Sequence, residues 1–290
     1  MTQVINPTTT PASSVPFGSG QNIIGTAGDN RLIGTPGADV IQTFAGNDNI
    51  AGGDGADVIL TGGGNDSVGG GAGNDQVAAG AGNDQVAGGG GDDLLYGGKG
   101  SDLVDGGDGN DIVSGDKGND IVSGGSGNDT AYGGQGEDTI SGGDGNDSIF
   151  GGQGNDIIDG GAGNDFISGD RGSDVLTGGA GSDTFYFASI GSDNSGREAY
   201  GVDTITDFTP TEDKIRLGKS GAFAGLGTGF DSTKFVVVSN FTAANPGATA
   251  NKVIYDSASG VLYFNNGSSV LTVAQLQPNL TITSSNFELF

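Results

Sequence analysis

Seventeen aspartates recur every nine residues through the middle of this 290-residue chain. They are Asp39, Asp48, Asp57, Asp66, Asp75, Asp84, Asp93, Asp102, Asp111, Asp120, Asp129, Asp138, Asp147, Asp156, Asp165, Asp174 and Asp183. Carboxylates at one fixed spacing suit one chemistry above others, the ligation of a hard cation by oxygen. Competing chemistries lack their residues. The chain has no His, which removes histidine zinc sites, His-containing triads and the usual general base. It has no Cys, which removes disulfides and thiolate sites. The many Asp pairs resemble acid–base dyads only superficially, because their spacing follows the repeat. No nucleophile–base constellation stands out, and the sequence reads as non-enzymatic.

The elements that must position these carboxylates follow from the same period. Aligned from Gly25, 18 nonamers run without insertion to Tyr186. One clear unit is Gly142-Gly-Asp-Gly-Asn-Asp-Ser-Ile-Phe150. Position 4 is Gly in every unit, from Gly28 to Gly181. Position 6 is Asp in every unit but the first, which has Asn30. Position 8 is apolar throughout, from Leu32 to Phe185. Gly at positions 1, 2 and 4 permits positive φ and close backbone approach in a tight turn. Asn, frequent at position 5, is the next most tolerant of left-handed geometry. Position 8 is the one apolar column, so it faces inward, and positions 7 to 9 form a short strand. Strands this short persist only by stacking on equivalent neighbours, as in a solenoid with two nonamers per coil.

Repeat n then lies beside repeat n+2. Asp57, Asp75, Asp93 and Asp111 share one edge, and Asp66, Asp84, Asp102 and Asp120 share the other. Carboxylates stacked about 5 Å apart repel unless a cation sits between them. Calcium tolerates a cage of carbonyls and carboxylates, whereas magnesium demands strict octahedral geometry. Two edges of nine turns leave room for roughly 16 ions at most.

Composition agrees with a solenoid. Gly is 62 of 290 residues, and hydrophobic residues are 33%, too few for a conventional thick core. The net charge is −26. Residues 25–186 hold 27 acidic and 4 basic residues, whereas residues 187–290 hold 9 and 6. Such a surface repels nucleic acid and anionic membranes, so neither is an expected partner. No apolar run reaches membrane-spanning length. Residues 1–24 carry no charged side chain and lack the pattern of a secretory signal peptide; they read as a flexible lead. No effector segment is expected ahead of the repeats.

The nonamers resemble the GGxGxDxUx repeat of the RTX haemolysin-type calcium-binding family. The resemblance implies an all-β fold, a right-handed parallel β-roll (β-solenoid), with Ca2+ between successive turns on each edge. It assigns the ligand role to the position-6 aspartates. The acidic surplus of the repeats and their thin core carry a further expectation: a chain that is unfolded at cytosolic calcium and folded at the millimolar calcium outside the cell. Departures gather early. Thr43, Thr61 and Ala79 replace the first Gly, and Thr26, Thr35, Phe44, Asp116 and Asp170 replace the second. Weak or missing ions are expected chiefly before residue 52.

After Tyr186 the period stops. Runs such as 202–208, 213–217, 234–238, 261–264 and 270–273 suggest short strands of a β-rich C-terminal cap over residues 187–290, closing on Phe185 and Phe187. The segment 201–217 resembles the region after the repeats in serralysin-type secreted proteins. The terminus Asn286-Phe-Glu-Leu-Phe290 resembles the uncleaved C-terminal signal of substrates of type I ABC exporters. These resemblances imply a secreted bacterial protein, extracellular or at the cell surface, acting as a structural, surface or adhesion module. Two alternatives remain. One is a calcium-dependent carbohydrate-binding accessory module for surface or matrix glycans, with Tyr96, Tyr132, Phe150 and Tyr186 available for stacking. The other is a relative of RTX hydrolases that has lost the HExxH zinc site.

Overall fold

A computed structural model describes residues 2–4, 20–188, 201–218, 223, 226, 230–241, 250–267 and 269–290. Most of the expected lead, residues 5–19, and the stretch 189–200 lie outside the described residues. The chain divides into two compact units, residues 1–148 and 149–290. The first is a parallel β-solenoid, and the second is made of parallel coils followed by an antiparallel meander.

In the first unit consecutive strands alternate between two parallel sheets. One sheet holds Val58–Gly63, Gln76–Ala81, Leu94–Lys99, Ile112–Lys117 and Thr130–Gln135. The other holds Asn49–Asp54, Ser67–Ala72, Gln85–Gly90, Leu103–Asp108, Ile121–Ser126 and Thr139–Asp144. Leu94 pairs with Gln76 and with Ile112, so each residue faces its equivalents 18 positions away. That register is the two-nonamer coil expected from the period. The position-8 residues, from Leu32 to Phe185, are buried and form the core.

The strands are longer than the three residues expected. From Asn49 on, most cover six residues, continuing from positions 7–9 into positions 1–3 of the next unit. The cause is position 2. Gly53, Gly62, Gly71 and their equivalents have φ near +110°, and Asp116 and Asp170 adopt left-handed φ of 72° and 63° in the same column. Where Thr26, Thr35 or Phe44 stands there, positive φ is not adopted. The preceding strands Asn22–Ile24, Arg31–Ile33 and Val40–Gln42 are then only three residues long.

Position 1 needs Gly for a different reason. Its φ is ordinary, but a Cβ on Gly106 would lie 2.3 Å from Gly124 O and 2.5 Å from Asp111 Oδ2. Thr43, Thr61 and Ala79 occupy this column as buried side chains, and the Thr43 hydroxyl donates to Thr61 O at 2.9 Å.

The sheets do not stop where the period stops. Asn22–Ile24, within the expected lead, pairs with Val40–Gln42, and Thr2–Val4 pairs with Asn22–Ile24. In the second unit, Thr184–Phe187 is followed by Lys214–Leu217 and then Phe287–Leu289, all parallel. In the companion sheet Val175–Ala180 is followed by Asp203–Ile205, which pairs with Val270–Gln275. Only beyond that does the pattern change. Val270–Gln275, Val261–Asn265 and Lys252–Asp256 form an antiparallel meander, extended by Phe235–Val238. Lys252–Asp256 was not among the expected strands. Phe208 packs on Phe185, with ring centroids 6.1 Å apart, and closes the end of the apolar column.

Candidate metal centre

Each position-6 aspartate sits where the turn enters a strand, one residue before position 7. All seventeen are between 0 and 3% exposed. Burial of so many carboxyl groups demands partners, and the structure provides half of them. In the first unit one oxygen, Oδ1, accepts the backbone N–H of the aspartate one coil earlier. Asp57 N–H donates to Asp75 Oδ1 at 2.7 Å, Asp75 to Asp93 at 2.7 Å and Asp93 to Asp111 at 2.7 Å. On the other edge Asp66 donates to Asp84 at 2.7 Å, Asp84 to Asp102 at 2.8 Å and Asp102 to Asp120 at 2.8 Å. The two columns have the parity expected from the sequence.

The other oxygen, Oδ2, is left over. In Asp57, Asp75, Asp93, Asp111 and Asp129 on one edge, and Asp48, Asp84, Asp102 and Asp120 on the other, it is buried with no donor. In the second unit the same holds for Asp174. At Asp57 this oxygen and the carbonyl oxygen of Gly70 each lie 2.4 Å from the point a Cβ of Gly52 would occupy. The absent side chain leaves a small cradle lined by a carboxylate and a carbonyl. Among the described residues no three acidic, His or Cys side chains converge on one point. An ion held here therefore depends on one or two carboxylates and on backbone carbonyls, a hard oxygen set that fits calcium.

The protonation energetics point the same way. Burial, reinforced by like charges along the column, raises Asp57, Asp84, Asp93, Asp120 and Asp129 from 3.8 to about 6. The N–H bond to Oδ1 opposes this only in part. Burial also raises Asp66, Asp75, Asp102, Asp111, Asp138, Asp147 and Asp183. The ionised columns are short of positive charge.

The early units differ. Asn30 replaces a carboxylate, and its Nδ2 donates to Asp48 Oδ1 at 2.8 Å. Asp39 keeps its carboxylate, but Thr35 N–H donates to its Oδ2 at 2.5 Å and the Thr35 hydroxyl adds a bond at 3.1 Å. Both groups are served by protein donors. On the same edge as Asn30, Thr43, Thr61 and Ala79 fill the position-1 cradles belonging to Asp48, Asp66 and Asp84.

The columns also extend beyond the seventeen. Asp174 N–H donates to Asp203 Oδ1 at 3.1 Å, and Asp183 N–H donates to Asp213 Oδ1 at 3.0 Å. Asp203 and Asp213 are 6% and 3% exposed and occupy the position-6 place of two further coils. Burial and the Asp174 charge raise Asp203 to about 8, and burial raises Asp213. At the other end Gln21 stands in the column, its N–H on Asp39 Oδ1. Sequence reading passed over Asp203 and Asp213 because the insertions before them break the nine-residue count. The surviving signal was local: Asp203-Thr-Ile-Thr and Asp213-Lys-Ile-Arg repeat the order of positions 6 to 9.

A family model described as RTX calcium-binding nonapeptide repeat (4 copies) matches residues 24–59, 42–77, 52–86, 69–104, 87–122, 96–131, 123–158, 132–167 and 159–189. No curated protein matches the chain. Among solved structures it is similar to the AlgE6R3 subunit of the Azotobacter vinelandii mannuronan C5-epimerase, with 21% identity and a TM-score of 0.29, covering 58% of this chain and 77% of that one. It is also similar to the extracellular lipase LipA of Serratia marcescens, with 18% identity and a TM-score of 0.21, covering 94% of this chain but 40% of the lipase.

Proposed function

The chain belongs to the RTX calcium-binding nonapeptide repeat family, and from that premise we propose that it is a secreted module whose fold is completed by extracellular calcium held along the two aspartate columns. It acts as a structural, surface or adhesion element rather than through a reaction of its own. One observation carries this reading: a row of buried carboxylate oxygens with no donor on each edge. Such atoms are costly in a finished fold, and a cation resolves the cost at every step.

The reading distinguishes among the aspartates. Asp93 has a free buried oxygen beside Gly106 O, whereas both oxygens of Asp39 already have protein donors. Asp93→Asn is expected to lose one bound calcium, and Asp39→Asn none, when ions are counted by equilibrium dialysis at saturating calcium. Equal losses from both variants would show that the unpaired oxygen does not mark a ligand. The seats of Asp48, Asp66 and Asp84, narrowed by side chains at position 1, are weaker than those of Asp75, Asp93 and Asp111.

Export completes the proposal. The C-terminal residues Asn286–Phe290 serve as the signal for a type I ABC exporter, read while the chain is unfolded. In the folded protein Phe287–Leu289 is a strand paired with Lys214–Leu217, and Phe287 is buried between Phe230 and Phe235 at centroid distances of 5.1 and 4.9 Å. Removing residues 286–290 should abolish appearance of the protein outside cells carrying the exporter; undiminished export would refute the assignment. Glycan binding is less favoured. In the second unit the rings of Phe150, Phe166 and Tyr186 lie against one another at 5.9 and 5.4 Å, which is packing along the sheet face.

A further inference from the structure

The two faces of the first unit are not alike. On the sheet that holds Val58–Gly63 through Thr130–Gln135, positions 7 and 9 carry no charged residue from Asn22 to Tyr132. Val40, Leu60, Tyr96, Ile112 and Tyr132 stand there with 39 to 44% of their surface exposed. The register stacks the position-9 row: Leu60 pairs with Ala78, Ala78 with Tyr96, Tyr96 with Ser114 and Ser114 with Tyr132. The companion sheet differs. Its positions 7 and 9 hold Arg31, Asn49, Ser67, Gln85 and Asp105, with Ile33, Leu103 and Ile121 set among them. A continuous uncharged face on a chain of net charge −26 marks a surface that is covered in use.

The margins of that face carry opposite charges. The first unit has three basic side chains, Arg31, Lys99 and Lys117. Lys99 and Lys117 are exposed and pair in register at the downstream ends of adjacent strands. Among the described residues the one ion pair is Arg216–Glu288, so neither lysine is paired with a carboxylate. Asp116, next to Lys117, instead accepts the Ser114 hydroxyl at 2.6 Å. Exposed Asp92 stands just upstream of the strand Leu94–Lys99, at the opposite margin from Lys99. Its Oδ1 accepts the Asn110 N–H at 2.9 Å and Asn110 Nδ2 at 3.0 Å, which fixes the carboxylate.

We propose that this face is the interface of a homodimer, in which a second copy of the chain packs the same sheet against it about a two-fold axis parallel to the direction in which the coils stack. That operation sets the strands of the two copies antiparallel and at equal levels, with the sheets about 10 Å apart. Lys99 of each copy then meets Asp92 of the other, and Lys117 meets Asn110 beside it. A two-fold axis along the strands would set lysine against lysine. The occupant is a second copy because the face complements itself in both respects, apolar centre and charged margins. Its size suffices. Six strands about 4.8 Å apart, most of six residues at about 3.3 Å each, give a flat area on the order of 600 Å². Side-chain relief brings this to the scale of the roughly 800 Å² per partner that stable pairs bury. The proposal rests on the calcium reading above in one respect: ions along the columns offset the negative surplus that would hold two copies apart.

The test is the mass of the full chain by sedimentation equilibrium in saturating calcium, with β-sheet circular dichroism recorded on each sample. The wild type should have twice its 28.4 kDa at about 100 μM and dissociate on dilution. Ile112 and Ile121 occupy the same position of adjacent repeats on opposite sheets, at 44 and 55% exposure. Ile112→Glu should weaken the dimer roughly tenfold or more, and Ile121→Glu should leave it unchanged. Lys99→Glu should weaken it too, and adding Asp92→Lys to that variant should restore it. A wild type with full β structure and single-chain mass at that concentration would overturn the dimer. Equal weakening by Ile112→Glu and Ile121→Glu would place association elsewhere and overturn this face as the interface. A loss in Lys99→Glu that Asp92→Lys deepens would overturn the two-fold arrangement. A wild type without β structure in saturating calcium would instead refute the calcium reading.

Discussion

In excess chelator at pH 7 the chain is expected to lose its β-sheet circular dichroism and to become open to proteolysis, and calcium should restore both cooperatively. The apolar column is one side chain wide per nonamer, and burying such a side chain returns roughly 1.5–3 kcal/mol. Ordering nine residues costs more than one such side chain returns. Hydrogen bonds between coils narrow the difference, but the ionised columns widen it again. Calcium acts on the columns directly, because it binds the folded arrangement and not the unfolded chain.

Acid should partly replace the metal. Asp57, Asp84, Asp93, Asp120 and Asp129 have folded values near 6, above the 3.8 of an exposed aspartate. The folded, metal-free state therefore binds protons more tightly than the unfolded state. Their stabilising contribution is fully present below about pH 4 and is lost as pH rises through about 6. Without calcium, β structure should be greater at pH 4 than at pH 7. With calcium, apparent affinity should fall as pH drops below 6, because protons and ions compete for one oxygen. Full β structure in chelator at pH 7 would contradict this account. So would a metal-free chain whose β content falls on acidification from pH 7 to 4.

The second large effect concerns glycine, where position within the nonamer decides everything. Gly136 has φ of 141°, and a Cβ there would lie 1.6 Å from the carbonyl oxygen of Gly118 in the coil below. Gly136→Ala combines left-handed strain with a backbone collision that no rotamer relieves. It should cost about 3 kcal/mol or more, lowering the thermal midpoint in saturating calcium by on the order of 10 °C. Gly90, at position 3, has ordinary φ and nothing within 4 Å of a Cβ. Gly90→Ala should change stability by less than about 0.5 kcal/mol. Comparable losses from the two substitutions would mean that coil spacing is not set by the position-4 turn.

The nine-residue period alone determined most of this protein. A single apolar column per nonamer has only one way to be buried, by stacking equivalent strands, so the alternation of repeats between two sheets was legible from Leu32 to Phe185. The same count assigned Asp57 and Asp66 to opposite edges. Strand length was partly legible as well, in retrospect, because Thr26, Thr35 and Phe44 stand where the chain must turn left-handed to continue a strand. Three things needed the tertiary structure. The division of labour within carboxylates such as Asp75 and Asp93, one oxygen on a backbone N–H and the other unpaired, depends on contacts 18 residues apart and leaves no trace in composition. The closure of Asp39 by Thr35 depends on a local turn, shared by Thr26 with Asn30 and Thr209 with Asp213, that a position-2 Gly with positive φ does not form. The extension of both columns to Asp203 and Asp213 depends on insertions that destroy the count while preserving the geometry. A periodic sequence specifies what repeats; where the period is broken, only packing against the last intact coil decides whether the pattern goes on.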